Sequence, residues 1–131
     1  MRWEFHSAAP IYRQVTERIE RLIVSGALPP GARLPAIRTL AMEAGVNPNT
    51  VQKALTELER GGLIYSQRTA GHFVAEDPAV IAAAREALAE AQTGQYLNSM
   101  RDLGYTPEEA ERLLRRQGTM EGRDEHGDTE L

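Results

Sequence analysis

Apolar residues recur at helical spacing near the start of the chain. Ile11, Val15, Ile19, Leu22 and Ile23 are separated by four, four, three and one residues, which places them on one face of an amphipathic helix. A proline precedes this run and a glycine follows it, as is typical of a helix start and a helix end. The pattern predicts a first helix that buries one face in a core.

A helix-turn-helix unit is predicted next. A short helix follows Pro35 and stops at Gly45, and another begins at Pro48 and runs to the glycine pair at 61–62. Asn47 is a favourable N-cap, and the first helical position tolerates proline because an N–H there would have no partner within the helix. Two helices joined by residues 45–47 match the tight turn of this motif. The short helix faces inward with Ile37, Leu40, Ala41 and Ala44.

The remaining pattern predicts a hairpin and a second helical module. Residues 63–66 and 72–74 are expected to form short strands around the turn segment 67–71. A long alanine-rich helix opens at Asp77-Pro78, and Thr106 to Glu109 form a capping box for the last helix. We therefore expect a mainly α fold with a small β-hairpin: a winged helix-turn-helix in residues 1–76, a two-helix dimerisation module in 77–117, and a disordered acidic tail in 118–131.

The third predicted helix has two distinct faces. Its buried stripe is Val51, Ala54, Leu55 and Leu58, at i, i+3, i+4 and i+7. The other side carries Asn49, Gln52, Lys53 and Thr56. Amide side chains can pair with adenine, and lysine can reach guanine or a phosphate. A solvated helix face has a similar composition, but the position between a short helix and a hairpin favours a recognition helix. We also expect the N-terminus of this helix to offer free N–H groups to a phosphate.

Charge is unevenly distributed along the chain. Residues 1–75 hold nine cations against six carboxylates, a net charge of +3, whereas residues 76–131 carry a net charge of −7. This asymmetry indicates a modestly basic working module and an acidic second module. No cysteine is present, and the three histidines lack ligand spacing, so we expect no metal, no cofactor and no catalytic site. No stretch has the length of a membrane span or a signal peptide, which predicts a cytoplasmic protein.

Six ordered motifs in residues 8–75 resemble the GntR family of bacterial regulators. They are Pro10 to Gln14, Gly26 to Gly31, Leu34 to Ala41, Gly45 to Val51, Leu58 to Ile64, and Gly71 to Val74. The short C-terminal tail of two helices is similar to that of the YtrA-like subfamily. The resemblance implies a winged-helix fold, dimerisation through the C-terminal helices, and repression at operator DNA.

Several DNA contacts are implied by this resemblance. Arg38 matches the arginine of the second helix that contacts DNA, Arg33 lies in the preceding turn, and Gly71 matches the glycine of the wing. Pro48 replaces an arginine that reads guanine in many members, which leaves the operator sequence open. With Lys53 and Arg68 added as phosphate contacts from the residue pattern, the predicted DNA-binding residues are Arg33, Arg38, Asn47, Asn49, Thr50, Gln52, Lys53, Arg68 and Gly71.

The apolar stripe of the C-terminal module needs a covering surface. Two helices cannot bury it fully unless they fold against the winged helix or against a second copy of the chain, and we expect the second copy. The predicted dimerisation residues are Ile81, Ala84, Leu88, Ala91, Leu97, Met100, Leu103, Leu113 and Leu114. The sequence thus predicts a homodimeric repressor whose partner is double-stranded operator DNA with inverted half-sites.

Two alternatives stay open. The winged helix could dock a protein and never bind DNA, although acidic residues on the outer face of the third helix, which would favour that reading, are absent. A small-molecule effector of unknown identity could also occupy a pocket between the C-terminal helices and the winged helix, a function that is compatible with DNA binding.

Overall fold

The computed structural model describes the backbone of residues 2–130 and the side chains of residues 2–118. Within this range the elements are α1 (Ile11–Val24), α2 (Ile37–Ala44), α3 (Pro48–Arg60), β1 (Ile64–Gln67), β2 (Gly71–Val74), α4 (Pro78–Asp102) and α5 (Pro107–Glu130). The predicted mainly helical fold with one antiparallel hairpin is confirmed. The chain forms two compact units, residues 1–87 and 88–131.

The first helix is fixed at its start by a buried glutamine. Gln14 donates from Nε2 to the carbonyl oxygens of His6 and Ala9, both at 2.8 Å, and its Oε1 accepts from the His6 N–H at 3.0 Å. These bonds tie the segment before α1 to the helix, and Trp3 and Phe5 of that segment pack on the core. The hydrophobic pattern missed this buried polar position because it identifies apolar faces only.

The predicted helix-turn-helix is confirmed between α2 and α3. Gly45 ends α2 in the left-handed region with φ of 70°, a conformation that glycine adopts without steric penalty. Asn47 then caps α3, because its Oδ1 accepts from the Asn49 N–H at 2.8 Å. Pro48 occupies the first turn, as expected. The cap and the proline fix where α3 begins.

One apolar core holds these helices together. The four residues of the predicted α3 stripe are all buried, and α1 contributes three further residues. The core consists of Val15, Ile19, Ile23, Leu34, Leu40, Ala41, Val51, Ala54, Leu55, Leu58, Leu63, Ile64 and Val74. Because α3 inserts its inner face into this core, its opposite face is directed away from it.

The hairpin of β1 and β2, which forms the wing, has more backbone pairing than the sequence predicts. β1 and β2 pair from Ile64 with Val74 to Gln67 with Gly71. Residues 31–34 add a third line of pairing to β2, in which the Leu34 N–H donates to the His72 carbonyl at 2.8 Å and the Val74 N–H to the Ala32 carbonyl at 2.8 Å. This pairing anchors the turn before α2 to the wing.

The start of α4 packs on the first unit. Asp77 caps the helix by accepting from the Ala79 N–H at 2.9 Å, as the sequence indicates. Val80, Ile81 and Ala84 are partly buried against the core. The first unit therefore extends past residue 76, where we placed the boundary, and the apolar character of Ile81 and Ala84 has an explanation within one chain.

The second unit contains the rest of α4 and α5. The capping box is confirmed: the Thr106 N–H donates to Glu109 Oε1 at 3.0 Å, and the Glu109 N–H donates to Thr106 Oγ1 at 3.2 Å. The bounds of α5 extend past residue 117, where we expected this helix to end. Side chains from residue 119 onward lie outside the described part of the chain, and disorder of residues 118–131 stays a prediction. In the described residues, no helix is both long enough and apolar enough to cross a bilayer.

Candidate nucleic-acid interface

The outer face of α3 carries polar and cationic side chains into solvent. Asn49, Gln52, Lys53 and Thr56 are all exposed, and Thr50 is half-buried. The Thr56 hydroxyl donates to the Gln52 carbonyl oxygen at 2.9 Å, while Gln52 Nε2 lies 3.5 Å from Thr56 Oγ1. The side-chain amide of Gln52 therefore has only a weak partner within α3 and can make further hydrogen bonds.

The expectation of free N–H groups at the N-terminus of α3 is wrong. Pro48 has no N–H, and the Asn49 N–H is bonded to the side chain of Asn47. The N–H groups of Thr50 and Val51 both point to the Asn47 carbonyl oxygen, at 2.9 and 3.3 Å. The side-chain and carbonyl oxygens of Asn47 thus bind the N–H groups of residues 49–51, so a phosphate at this end of α3 would need donors from side chains.

Asn47 has a structural role that does not involve DNA, because it caps α3. Its side-chain oxygen is engaged in the cap of α3, which leaves only its NH₂ group as a donor. Asn47 is exposed, so this donor is accessible to a ligand.

Lys53 is positioned by an aromatic ring. Its Nζ lies 3.9 Å from the centroid of the Tyr12 ring, within the range of a cation–π interaction. Tyr12 is the second residue of α1 and is half-buried, whereas Lys53 is exposed. The cation thus sits at the junction of α1 and α3, which pack together in the first unit.

Arg33 and Gly71 meet between the wing and the turn before α2. Arg33 forms an antiparallel bridge with Phe73, and this brings its side chain to the backbone of Gly71. A Cβ atom on residue 71 would lie 3.5 Å from Arg33 Nε, and Gly71 has φ of 101°. Two predicted DNA-binding residues that are 38 positions apart in sequence are therefore neighbours.

Arg38 lines the same region. An open cleft of about 300 Å³ is bordered by Arg33 and Arg38, by Gly71 and His72, and by the apolar segment 34–37. Arg38 lies in the first turn of α2 and is exposed. The cleft combines an apolar wall with two guanidinium groups, a composition suited to a sugar–phosphate backbone.

His72 is a cleft residue that the sequence reasoning missed. The spacing of the three histidines excludes a metal site but gives no information on a cleft. Alternation along β2 was the available signal: His72 lies on the same side of the strand as buried Val74, and opposite to Phe73, which stacks on Tyr65 at 5.6 Å.

The four cations predicted to contact DNA are exposed. Arg68 is exposed in the turn between β1 and β2, where the Ala70 N–H donates to the Gln67 carbonyl at 3.0 Å. Among residues whose side chains are described, Arg33, Arg38, Lys53 and Arg68 form no ion pair, whereas Arg60 is paired with Glu57 at 2.8 Å. Over the same residues, no group of three potential metal ligands occurs.

The predicted dimerisation residues differ in exposure. Within the second unit, Leu88, Leu97, Met100 and Leu113 are half-buried and Ala91 is exposed. Leu103 is 72% exposed and Leu114 is 51% exposed.

Comparison of the sequence with known proteins gives consistent matches. The family described as "Bacterial regulatory proteins, gntR family" matches residues 11–74. The uncharacterized HTH-type transcriptional regulator YhcF of Bacillus subtilis is 35% identical over 106 residues, which cover 81% of this chain and 88% of YhcF. The HTH-type transcriptional repressor YtrA of the same organism is 42% identical over 71 residues, which cover 54% of this chain and 55% of YtrA.

Solved structures agree with these matches. A GntR family transcriptional regulator from Listeria monocytogenes superposes with a TM-score of 0.79 at 32% identity, covering 86% of this chain and 98% of that chain. The DNA-binding domain of AraR in complex with its operator ORX1 superposes with a TM-score of 0.54 at 32% identity, covering 57% of this chain and 96% of that chain.

Proposed function

Since the chain belongs to the GntR family of bacterial regulatory proteins, we propose that it is a transcriptional repressor that binds an inverted-repeat operator as a homodimer. The proteins that it matches are DNA-binding transcriptional regulators and not enzymes. The relative YtrA is a transcriptional repressor, which supports repression as the direction of regulation. The site of action is the bacterial cytoplasm, where operator DNA lies.

The exposed face of α3 is the observation that carries this proposal. Its amide, hydroxyl and ammonium groups stand in solvent on a helix whose other face is locked into the core. Such a helix fits the major groove, where amide side chains discriminate adenine by a bidentate pair of hydrogen bonds. In our proposal Asn49 and Gln52 read bases, and half-buried Thr50 contacts the backbone near them.

Backbone contacts come from the cations around this helix. Arg33 and Arg38 flank the cleft beside the wing, Arg68 is at the wing turn, and Lys53 stands at the α1–α3 junction. In our proposal exposed Arg38, at the start of α2, also reaches a base edge. These cations fix the register of the protein on the duplex, while the amides select the sequence.

The dimer is assigned to the second unit. Leu103 and Leu114 expose apolar surface that a second copy would cover, and the other residues of this surface are Leu88, Ala91, Leu97, Met100 and Leu113. A twofold dimer places two α3 helices one helical turn of DNA, or a multiple of it, apart. Ile81 and Ala84 are partly used within the first unit and contribute to the dimer only at its edge.

Selection of bound duplexes from a random DNA pool, with the full chain, tests the proposal. We expect an enriched motif with inverted half-sites, bound by two protomers as measured by light scattering of the complex. Gln52→Ala should weaken binding to that duplex by about 10-fold, because a bidentate contact to a base contributes about 1–3 kcal/mol. Arg85→Ala, which removes an exposed arginine of α4, serves as the control and should leave affinity unchanged.

Two outcomes would contradict the proposal. A pool that shows no enrichment over its input would contradict sequence-specific binding, and a protein that stays monomeric on DNA with a single asymmetric site would contradict the twofold arrangement.

Double substitution of Leu103 and Leu114 by Ser should convert the dimer to a monomer and weaken operator binding. An unchanged oligomeric state in that variant would place the dimer interface elsewhere.

A further inference from the structure

We infer that Tyr12 is a positioning residue for DNA binding: its ring holds the ammonium group of Lys53 at the α1–α3 junction, ready for a phosphate. This inference rests on the proposed function, in which Lys53 contacts the DNA backbone. Tyr12 lies outside the helix-turn-helix and the wing, on α1, and is absent from the predicted DNA-binding residues. Its role follows from its contact with Lys53.

The geometry of the contact is specific. The Lys53 Nζ is 3.9 Å from the centroid of the Tyr12 ring, and a cation over the face of an aromatic ring is attracted by the ring quadrupole out to about 6 Å. An ammonium group has three N–H donors. The ring occupies one side of the group, and exposure of Lys53 leaves its other side open to solvent.

The packing of Tyr12 makes the ring a fixed support. Tyr12 is half-buried on the helix that supplies Val15, Ile19 and Ile23 to the core, and α1 packs directly on α3. A free lysine side chain samples many rotamers and loses that freedom when it binds a phosphate. Holding the ammonium group on a fixed ring in the free protein reduces this loss, which is the effect of preorganisation on affinity.

The electrostatics of the contact favour this role over an ion pair. A carboxylate partner would neutralise Lys53 and would have to be displaced by the phosphate. A ring leaves the full positive charge in place, because the attraction comes from a quadrupole. Across the described side chains Lys53 forms no ion pair, so the charge available to DNA is undiminished.

The composition of the chain allows a direct measurement. Lys53 is the only lysine, so lysine labelled with ¹³C and ¹⁵N gives one set of side-chain signals in an NMR spectrum. The Hε protons should be shifted upfield by the ring current of Tyr12 in the free protein. They should stay shifted on addition of the selected duplex, because the ammonium group binds phosphate from its place on the ring. Signals that move to free-lysine values on DNA binding would overturn the inference.

A double-mutant cycle provides the second test, with fluorescence anisotropy on the selected duplex as the readout. Tyr12→Leu should weaken binding about two- to fivefold, as expected for loss of an exposed cation–π contact, whereas Tyr12→Phe should retain wild-type affinity. In a Lys53→Ala background, Tyr12→Leu should have no further effect on affinity. Additive losses would overturn the positioning role, since a general packing defect acts whether or not Lys53 is present.

The controls separate the two proposals. If the wild-type chain selects no DNA sequence, the proposed function fails, and the NMR shift of the free protein still shows whether the ring holds Lys53. If the wild type binds and the two substitutions act independently, only the role of Tyr12 fails. Should Tyr12→Leu fail to fold, the wild-type NMR measurement with and without the duplex decides the question without a variant.

Discussion

The guanidinium group of Arg33 lies over the backbone of Gly71, so that a Cβ atom on residue 71 would be 3.5 Å from Arg33 Nε. The two residues meet because Arg33 is paired with Phe73 on the neighbouring strand β2. The pairing joins the wing to the turn before α2, and the cleft bordered by Arg38 and His72 is a result of it. The element that the sequence predicts as a simple hairpin is thus a two-stranded hairpin to which the segment before α2 is bridged at Arg33.

Gly71→Ala should destabilise the wing. The backbone of Gly71 has φ of 101°, where a residue with a Cβ is strained by about 1–2 kcal/mol. The added methyl meets Arg33 at an ordinary contact distance, so strain in the backbone is the main cost. Thermal unfolding measures the effect. Gly61→Ala is the matched control: Gly61 has φ of −79°, and its substitution should leave the Tm unchanged or raise it.

Asn47→Ala should lower the free energy of unfolding by about 1 kcal/mol. The reason is loss of the N-cap of α3, since the Asn49 N–H would no longer have its side-chain partner. Asn47→Ser keeps a capping oxygen and should retain most of the stability. Chemical denaturation of both variants measures this difference, and Asn98→Ala in the interior of α4 controls for loss of an exposed amide. Equal stability of Asn47→Ala and wild type would show that the cap contributes nothing.

Lys53→Ala should flatten the salt dependence of DNA binding. A phosphate contact releases counterions, so the slope of log Kobs against log salt should decrease in magnitude by about one unit. Binding of the selected duplex at several salt concentrations gives the slope. Arg85→Ala removes a cation of the same charge away from the proposed interface, and its slope should equal that of the wild type. A wild-type slope in Lys53→Ala would remove this residue from the phosphate contacts.

The capping box of α5 should weaken in acid. Hydrogen bonds from Thr106, first from its backbone N–H and then from its hydroxyl, lower the pKa of the Glu109 carboxyl group. Because the folded pKa is below the ordinary value, the cap is fully stabilising above that ordinary value and is lost as the pH falls through the lowered one. An NMR titration of the Thr106 amide should therefore have its midpoint below the ordinary pKa of glutamate. A midpoint at or above that value would contradict the assignment.

Local signals predicted much of the fold. The stripe of α3 spans two helical turns, and the cap at Asn47 and the box at Thr106 each lie within one turn, so all three are local patterns. Such patterns specify an element wherever it lies in the tertiary structure. The bounds of α2 and α3 and the presence of the hairpin followed from them directly.

The features of the fold that local patterns did not predict depend on contacts between residues far apart in the sequence. Pairing of Arg33 with Phe73 has no periodic signature, because residues 31–34 are too few to show an alternation. Burial of Gln14 required knowledge of the segment before α1, whose carbonyl groups it binds. The contact of Lys53 with Tyr12 joins two helices whose relative register the sequence leaves open.

Predictions about the interface were also limited by contacts that local sequence patterns do not show. The N-terminus of α3 offers no free N–H group in its first turn, because Pro48 has none and Asn47 accepts from the N–H groups of residues 49–51. Ile81 and Ala84 pack on the core of the first unit, and their helical spacing alone does not distinguish this core from a partner chain as the covering surface. His72 borders the cleft because residues 31–34 lie beside β2, and this contact has no local signal in the sequence.

The central claim is that the outer face of α3 reads DNA bases, and the most direct test compares the DNA motifs selected by two proteins. Wild type and Gln52→Ala should be presented with the same random duplex pool, and the enriched sequences aligned. The account predicts that the variant loses its base preference at one position in each half-site and keeps the other positions, since Gln52 is exposed at the middle of this face. A variant motif identical to the wild-type motif at every position would contradict the account.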